Sequence, residues 1–271
     1  MSRDDLASHA AALLGGRLAA SRRLHGGDLS EVLEIRLGDG RRAVVKGGPG
    51  PPVEARMLEA IAATGAPCPP VLAVDDRALV LGVLPGGGQP GPAAWRRLGT
   101  ALRRLHGETG DSYGWEDDYA FGPVAIPNAP MTDWPGFWAE RRLLQGLDSL
   151  PAPLARRVER LAAGLGERLP ARPPAALLHG DLWAGNLLFS PEGNAALIDP
   201  ACYRGDGEVD LAMLGMFGRP DPAVFEGYGP LAPGAEERRP VYRLWPALVH
   251  LRLFGRGFAG MVEGLLAEAG A

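Results

Sequence analysis

The stretch Leu177–Asp199, LLHGDLWAGNLLFSPEGNAALID, constrains this chain more than any other part of it. Apolar residues 175–178 and 187–189 bracket a polar loop, and apolar residues 195–198 follow the turn-forming Ser190-Pro191-Glu192-Gly193-Asn194. Short apolar runs separated in this way predict a strand, a loop and then a hairpin. Asp181 lies five positions before Asn186, and Asp199 thirteen after it. A hairpin of this kind brings all three to one end of a sheet.

Taken singly, these residues are ordinary. An Asp or Asn beside Gly is a common turn former, and His179 alone reads as a packed, hydrogen-bonded histidine. Together they resemble the protein-kinase catalytic loop, His-x-Asp, four residues, then Asn. The spacing has a chemical reason. One carboxylate meets the attacking hydroxyl, while an amide and a second carboxylate meet metal ions that bridge nucleotide phosphates. The reading is a phosphotransferase site using ATP and Mg2+, with Asp181 catalytic and Asn186 and Asp199 as metal ligands.

Lys46 is the only lysine among 28 basic side chains. It ends a predicted strand, Ala43–Val45 with the lysine following, which pairs with alternating Leu33, Ile35 and Leu37 across the turn Gly38-Asp39-Gly40. In the kinase pattern a lysine at this place aligns the phosphates and is held by a helical glutamate. Glu54 opens the helical run 53–63 and is the expected partner; Glu59 is the alternative and reads as a surface acid. Upstream, Gly26, Gly27 and Ser30 belong to a loop whose backbone amides could drape over phosphates. Gly-Gly alone is more often just a turn.

The rest of the chain reads as follows. Residues 4–20 have helical apolar spacing through Leu18, weakened by Gly15-Gly16. Strands are expected at 71–74 and 79–84, and helices at 93–107, 135–146 and in the closing segment that includes 244–254. The run Pro85-Gly86-Gly87-Gly88-Gln89-Pro90 is the clearest compositional break. It predicts an α+β chain with a small β-rich lobe at 1–84, a hinge at 85–92 and a larger helical lobe at 93–271. Gly82, Val83 and Leu84 would then offer backbone groups to adenine. The aromatic, acidic segment 113–138 suits recognition of a polar, amine-bearing sugar, or else Trp134, Phe137 and Trp138 simply anchor a helix. His106 reads as structural. Asp210 reads either as a brace beneath the catalytic loop or as a helix-start acid.

Composition excludes several classes. The net charge is −4 and the arginine pairs are dispersed among acids, so no nucleic-acid surface is indicated. Cys68 and Cys202 form neither a disulfide framework nor a metal-ligand pair. Neither a signal peptide nor a run of membrane-spanning length is visible, which points to a cytoplasmic, membrane-free protein. A monomer is the default expectation.

Several longer motifs resemble one family, the fructosamine kinases (ketosamine-3-kinases), relatives of the aminoglycoside and choline kinases. They are HGDLWAGN at 179–186, IDPACYRGDGEVDLAMLGMFG at 198–218, YGW at 113–115, Pro127-Asn128 and DWPGFWAERRL at 133–143. The resemblance implies a two-lobed protein-kinase-like fold, and ATP and magnesium as cofactors. It also implies phosphoryl transfer to the 3-hydroxyl of a ketosamine, small or protein-bound, in a deglycation role. Relatives often carry a cysteine in the glycine-rich loop that permits a disulfide dimer; here the loop holds Asp28, Leu29 and Ser30, so no such switch is expected. The hinge reads Leu81-Gly82-Val83 where relatives often have an acid. Two rival readings remain: a kinase of this fold acting on an aminoglycoside, choline or homoserine, and a nucleotide-binding module without catalysis.

Overall fold

The computed structural model describes residues 3–24, 31–48 and 50–271. Helix α1 (Arg3–Leu13) is followed by strands β1 (Leu18–Arg23), β2 (Val32–Leu37) and β3 (Arg42–Lys46), then helix α2 (Pro51–Ala63). Strands β4 (Val71–Val74) and β5 (Leu79–Gly82) complete an antiparallel sheet in the order β1-β2-β3-β5-β4. The helical spacing that runs to Leu18 is not used to its end. Gly15 takes a left-handed φ of 65°, and the amides of Gly15 and Gly16 return to the carbonyls of Ala12 and Ala11, both at 2.9 Å. That glycine-closed end terminates the helix, and Leu18 opens β1 instead.

The period-2 alternation of β2 and β3 sends side chains to two faces. Leu33, Ile35, Leu37, Ala43, Val45 and Val80 pack under α1 against Leu6, Ala7, Ala10 and Ala11. The opposite face carries Leu79 and Leu81 against Ala55 and Leu58 of α2, with Val44 packed beside them. Lys46, two residues after Val44, therefore points to the α2 side.

Helix α3 (Pro92–Gly107) leads to β6 (Thr109–Gly110), the hairpin β7 (Tyr119–Phe121) and β8 (Val124–Ile126), and the short helix α4 (Trp134–Trp138). Helix α4 runs into a π-helical turn, Ala139–Leu143, where a regular helix over 135–146 was expected. The wider turn carries Arg142 inward. Its guanidinium lies 4.0 Å from the Tyr203 ring centroid and donates to the Pro127 carbonyl at 2.8 Å and to Asn128 Oδ1 at 2.9 Å.

Then come α5 (Ala152–Ala163), β9 (Ala175–Leu178), the hairpin β10 (Leu187–Phe189) and β11 (Ala195–Leu197), and β12 (Tyr203–Gly205). The chain closes with α6 (Glu208–Leu214), α7 (Ala223–Tyr228), α8 (Ala235–Phe254) and α9 (Ala259–Glu268). Strand β9 sits between β12 and β6 in a three-stranded sheet. Trp134, Phe137 and Trp138 are fully buried among Tyr113, Tyr203, Tyr242 and Trp245, and Trp134 Nε1 donates to the Tyr242 hydroxyl at 3.0 Å. These rings anchor α4 to α8. Asp133 caps α4 by accepting from the Gly136 amide at 2.7 Å.

By packing, the chain divides into two compact units that interleave in sequence. The first comprises 1–104, 185–201 and 221–227; the second comprises 105–184, 202–220 and 228–271. Among the described residues no helix is long and apolar enough to cross a membrane.

Candidate active site

In the first unit, Lys46 Nζ donates to Glu54 Oε1 at 2.5 Å and to Asp199 Oδ1 at 2.8 Å. The β3 register and the α2 face explain the first contact, and the β10–β11 hairpin delivers the second. Burial on its own would pull the lysine's pKa down, but the Glu54 and Asp199 carboxylates overcome it and the net shift is upward, so Lys46 stays an ammonium. Glu59, the alternative partner, is exposed. A buried ion pair of this kind is weak evidence for stability, because desolvation offsets its Coulomb gain. It reads instead as a charge held in place.

Asp199 stands two residues beyond the end of β11. Its φ of 54° makes it the one non-glycine residue with positive φ among the described residues. Asp tolerates this region better than most residues, and such strain persists where surroundings impose it. Asn186 closes a 3-10 turn, Ala184–Asn186, just before β10, and its carbonyl accepts from the Ile198 amide at 3.1 Å. The hairpin register thus puts Asn186 opposite the residue that precedes Asp199. An amide and a carboxylate, both oxygen donors, suit a hard cation such as Mg2+, which takes one or two carboxylates plus phosphate oxygens and water. Among the described residues no group of three or more His, Cys, Asp or Glu forms a metal cage.

The hairpin is tied down locally. The Gly88 amide donates to the Phe189 carbonyl at 2.9 Å, Trp95 of α3 packs on Phe189 with ring centroids 5.2 Å apart, and Arg97 donates to the Gly193 carbonyl. At the end of β5, Gly82 pairs with Ala43 and its amide donates to Pro70 O at 2.9 Å; Val83 and Leu84 follow it, half-buried. Gly26, Gly27 and Ser30 lie outside the described residues.

In the second unit, the loop after β9 carries His179, Gly180 and Asp181. Asp210, in the first turn of α6 and completely buried, accepts from the His179 amide at 2.7 Å and the Gly180 amide at 3.0 Å. It is both the helix-start acid and the brace. Burial alone would raise its pKa; the hydrogen bond and charge of His106, the neighbouring His179 and the Gly180 amide hold it below the usual carboxylate range. His179 is fully buried, and its Nδ1 accepts from the Asp181 amide at 3.3 Å. Asp181 itself is half-buried on the same loop.

A sequence model described as fructosamine kinase matches residues 15–269. The chain belongs to the fructosamine kinase family. It is 38% identical over 245 residues to a probable ketoamine kinase of Thermus thermophilus, covering 88% of this chain and 89% of that one. The crystal structure of a candidate fructosamine-3-kinase from Thermobifida fusca superposes with a TM-score of 0.90 at 31% identity, over 99% of each chain. Amicoumacin kinase hAmiN, solved with AMP-PNP, Ca2+ and Ami, gives a TM-score of 0.69 at 16% identity, over 99% of this chain and 93% of its own, and speaks to the fold alone. The fold is therefore α+β and protein-kinase-like, and the chain is a phosphotransferase of the ketoamine kinase type.

Proposed function

We propose that this fructosamine kinase uses MgATP to phosphorylate the 3-hydroxyl of ketosamines, in the cytoplasm, in a deglycation role. The observation that carries the reading is Lys46 held between Glu54 and Asp199, an ammonium fixed beside a strained carboxylate. In this account Lys46 aligns the nucleotide phosphates and Glu54 keeps it from swinging away. Asn186 and Asp199 would hold magnesium. When bound, the metal neutralises charge that develops on the transferred phosphoryl group. Asp181 orients the substrate hydroxyl and accepts its proton. The backbone of residues 82–84 would meet adenine, and Gly26, Gly27 and Ser30 would cover the phosphates.

The test is the position of the phosphate. Fructoselysine and ribuloselysine are incubated with MgATP and the products are read by phosphorus and carbon NMR. A single phosphate coupled to C3 is the expected result. Phosphate on another carbon, or transfer to choline or an aminoglycoside with none to any ketosamine, would overturn the substrate assignment while leaving the kinase.

A further inference from the structure

A run of aromatic rings that begins two residues after Asp181 has no part in the chemistry above. Trp183 meets Phe217 edge to face with centroids 5.9 Å apart, and Phe217 packs on His250 at 4.6 Å. Phe254 and Phe258 close on the same imidazole at 5.5 and 5.1 Å and lie 6.0 Å from each other. The local sequence explains the grouping. His250 and Phe254 are four apart on α8 and share a face. Gly255 then takes a φ of 82°, and the chain turns through the 3-10 segment Arg256–Phe258, which brings Phe258 back onto both. These rings are not core. Phe254 is 47% and Trp183 36% exposed, and Phe217, His250 and Phe258 are half-buried.

A carbonyl oxygen only accepts, so the 2.8 Å contact of His250 Nδ1 with the Pro246 carbonyl puts a proton on Nδ1. Burial holds the pKa of the ring below 6.5, so near neutral pH it is uncharged and Nε2 keeps its lone pair. Among the described residues nothing donates to Nε2. Arg252, two residues further along α8, donates to the Gln145 carbonyl at 3.3 Å and is engaged there. A hydrogen-bond acceptor walled by three phenylalanine rings suits an ammonium group: Nε2 takes its N–H, and the rings attract its charge.

We propose that His250, Phe217, Phe254 and Phe258 form a subsite for the protonated glycated nitrogen of the acceptor, and so select ketosamines over neutral ketose derivatives. The proposal rests on the reading of this chain as a ketosamine kinase with Asp181 as base. Trp183 supplies the link to the reaction, since it shares the Asp181 loop and touches Phe217. The rings therefore continue outward from the residue that would meet the substrate hydroxyl. A dialkylamine is protonated near neutral pH, whereas an ether oxygen in its place brings neither charge nor proton. The subsite would tell the two apart.

The test uses the whole protein with MgATP and two acceptors, fructoselysine and its analogue with an ether oxygen in place of the glycated nitrogen. The parent is compared with Phe254→Leu and His250→Leu; Phe254 is exposed, so its variant keeps the fold. In the parent, KM for fructoselysine should lie below that for the ether by about tenfold or more, from a cation–π contact and a charged hydrogen bond. In each variant that ratio should shrink through a rise in KM for fructoselysine, with kcat changing much less. A ratio preserved in both variants, or an equal loss on both acceptors, would overturn the proposal. The NMR signals of the His250 imidazole, followed as a dialkylammonium salt is added without nucleotide, judge the subsite independently of turnover. A saturable shift that Phe254→Leu weakens is expected, and no shift in the parent would contradict the proposal. A parent that turns over no ketosamine while the ammonium still shifts His250 would sink the functional reading and leave the ammonium site standing.

Discussion

In the proposed mechanism, Lys46 is the residue that would meet the nucleotide phosphates. Chain chemistry leaves it no substitute: an arginine is bulkier and delocalised, whereas the compact ammonium reaches both Glu54 and Asp199 from the end of β3. Lys46→Met should keep the fold's apolar contacts and remove the charge that, on the proposed mechanism, would clamp the phosphates. Loss of one such stabilising group lowers kcat by about 10²–10³, and a steady-state assay with saturating acceptor would read it. A variant within a few-fold of the parent would show that Lys46 does not meet the phosphates. The position of this lysine was legible in the sequence because it stood alone among arginines at a strand end. The choice of Glu54 over Glu59 follows from which face of α2 meets the sheet, and that is legible once the register of β3 is known. The His106–Tyr228 contact was not legible, since 122 positions separate the partners and neither residue belongs to a local pattern.

At the scale of elements, most runs were legible from periodicity and the misses have local causes. The first helix stops at Gly15-Gly16, because a glycine-closed end outweighs one further apolar residue in phase. The expected helix over 135–146 becomes α4 and a π-turn, since a buried Arg142 must reach the Pro127 carbonyl and the Asn128 side chain. Of the aromatic segment, Trp134, Phe137 and Trp138 are buried and take the anchoring role. Trp134 is fully enclosed and hydrogen-bonded to Tyr242, so Trp134→Ala should cost about 3–5 kcal/mol of stability. Chemical denaturation would measure it. A variant of parental stability with a raised KM for the acceptor would instead restore the recognition role. His250, on α8, gives an element-level prediction in pH. Burial, only partly offset by its bond to the Pro246 carbonyl, holds its pKa below the ordinary 6.5. The unfolded chain therefore takes up a proton where the folded chain does not. Stability is full above pH 6.5 and declines as pH falls towards the folded value. Melting temperatures measured between pH 7.5 and 5 should drop, and His250→Gln should flatten the slope; an unchanged slope would contradict this.

For the molecule as a whole, the family motifs read from the sequence lie between residues 113 and 218, and the family match extends from residue 15 to residue 269. What one sequence could not convey is that compactness ignores chain order: the Asn186–Asp199 hairpin packs with the N-terminal sheet, while Asp181 on the same loop packs with the helical unit. The two cysteines supply a global check. Cys202 is buried, and burial pushes the Cys68 thiol up to about 11. Neither should react at appreciable rate with a thiol reagent near pH 8 in the native protein, and both should react after denaturation; rapid native labelling would mean the packing is looser than described.

The central claim is phosphoryl transfer to a ketosamine through Asp181. The most direct measurement is magnesium-dependent ADP formation with ribuloselysine or fructoselysine, comparing the parent with Asp181→Asn. Positioned proton transfer is worth about 10²–10⁴ in rate. The account predicts ketosamine-dependent ADP from the parent, lost without magnesium and reduced by that factor in the variant, with ATP binding retained. Equal turnover by parent and variant would contradict it.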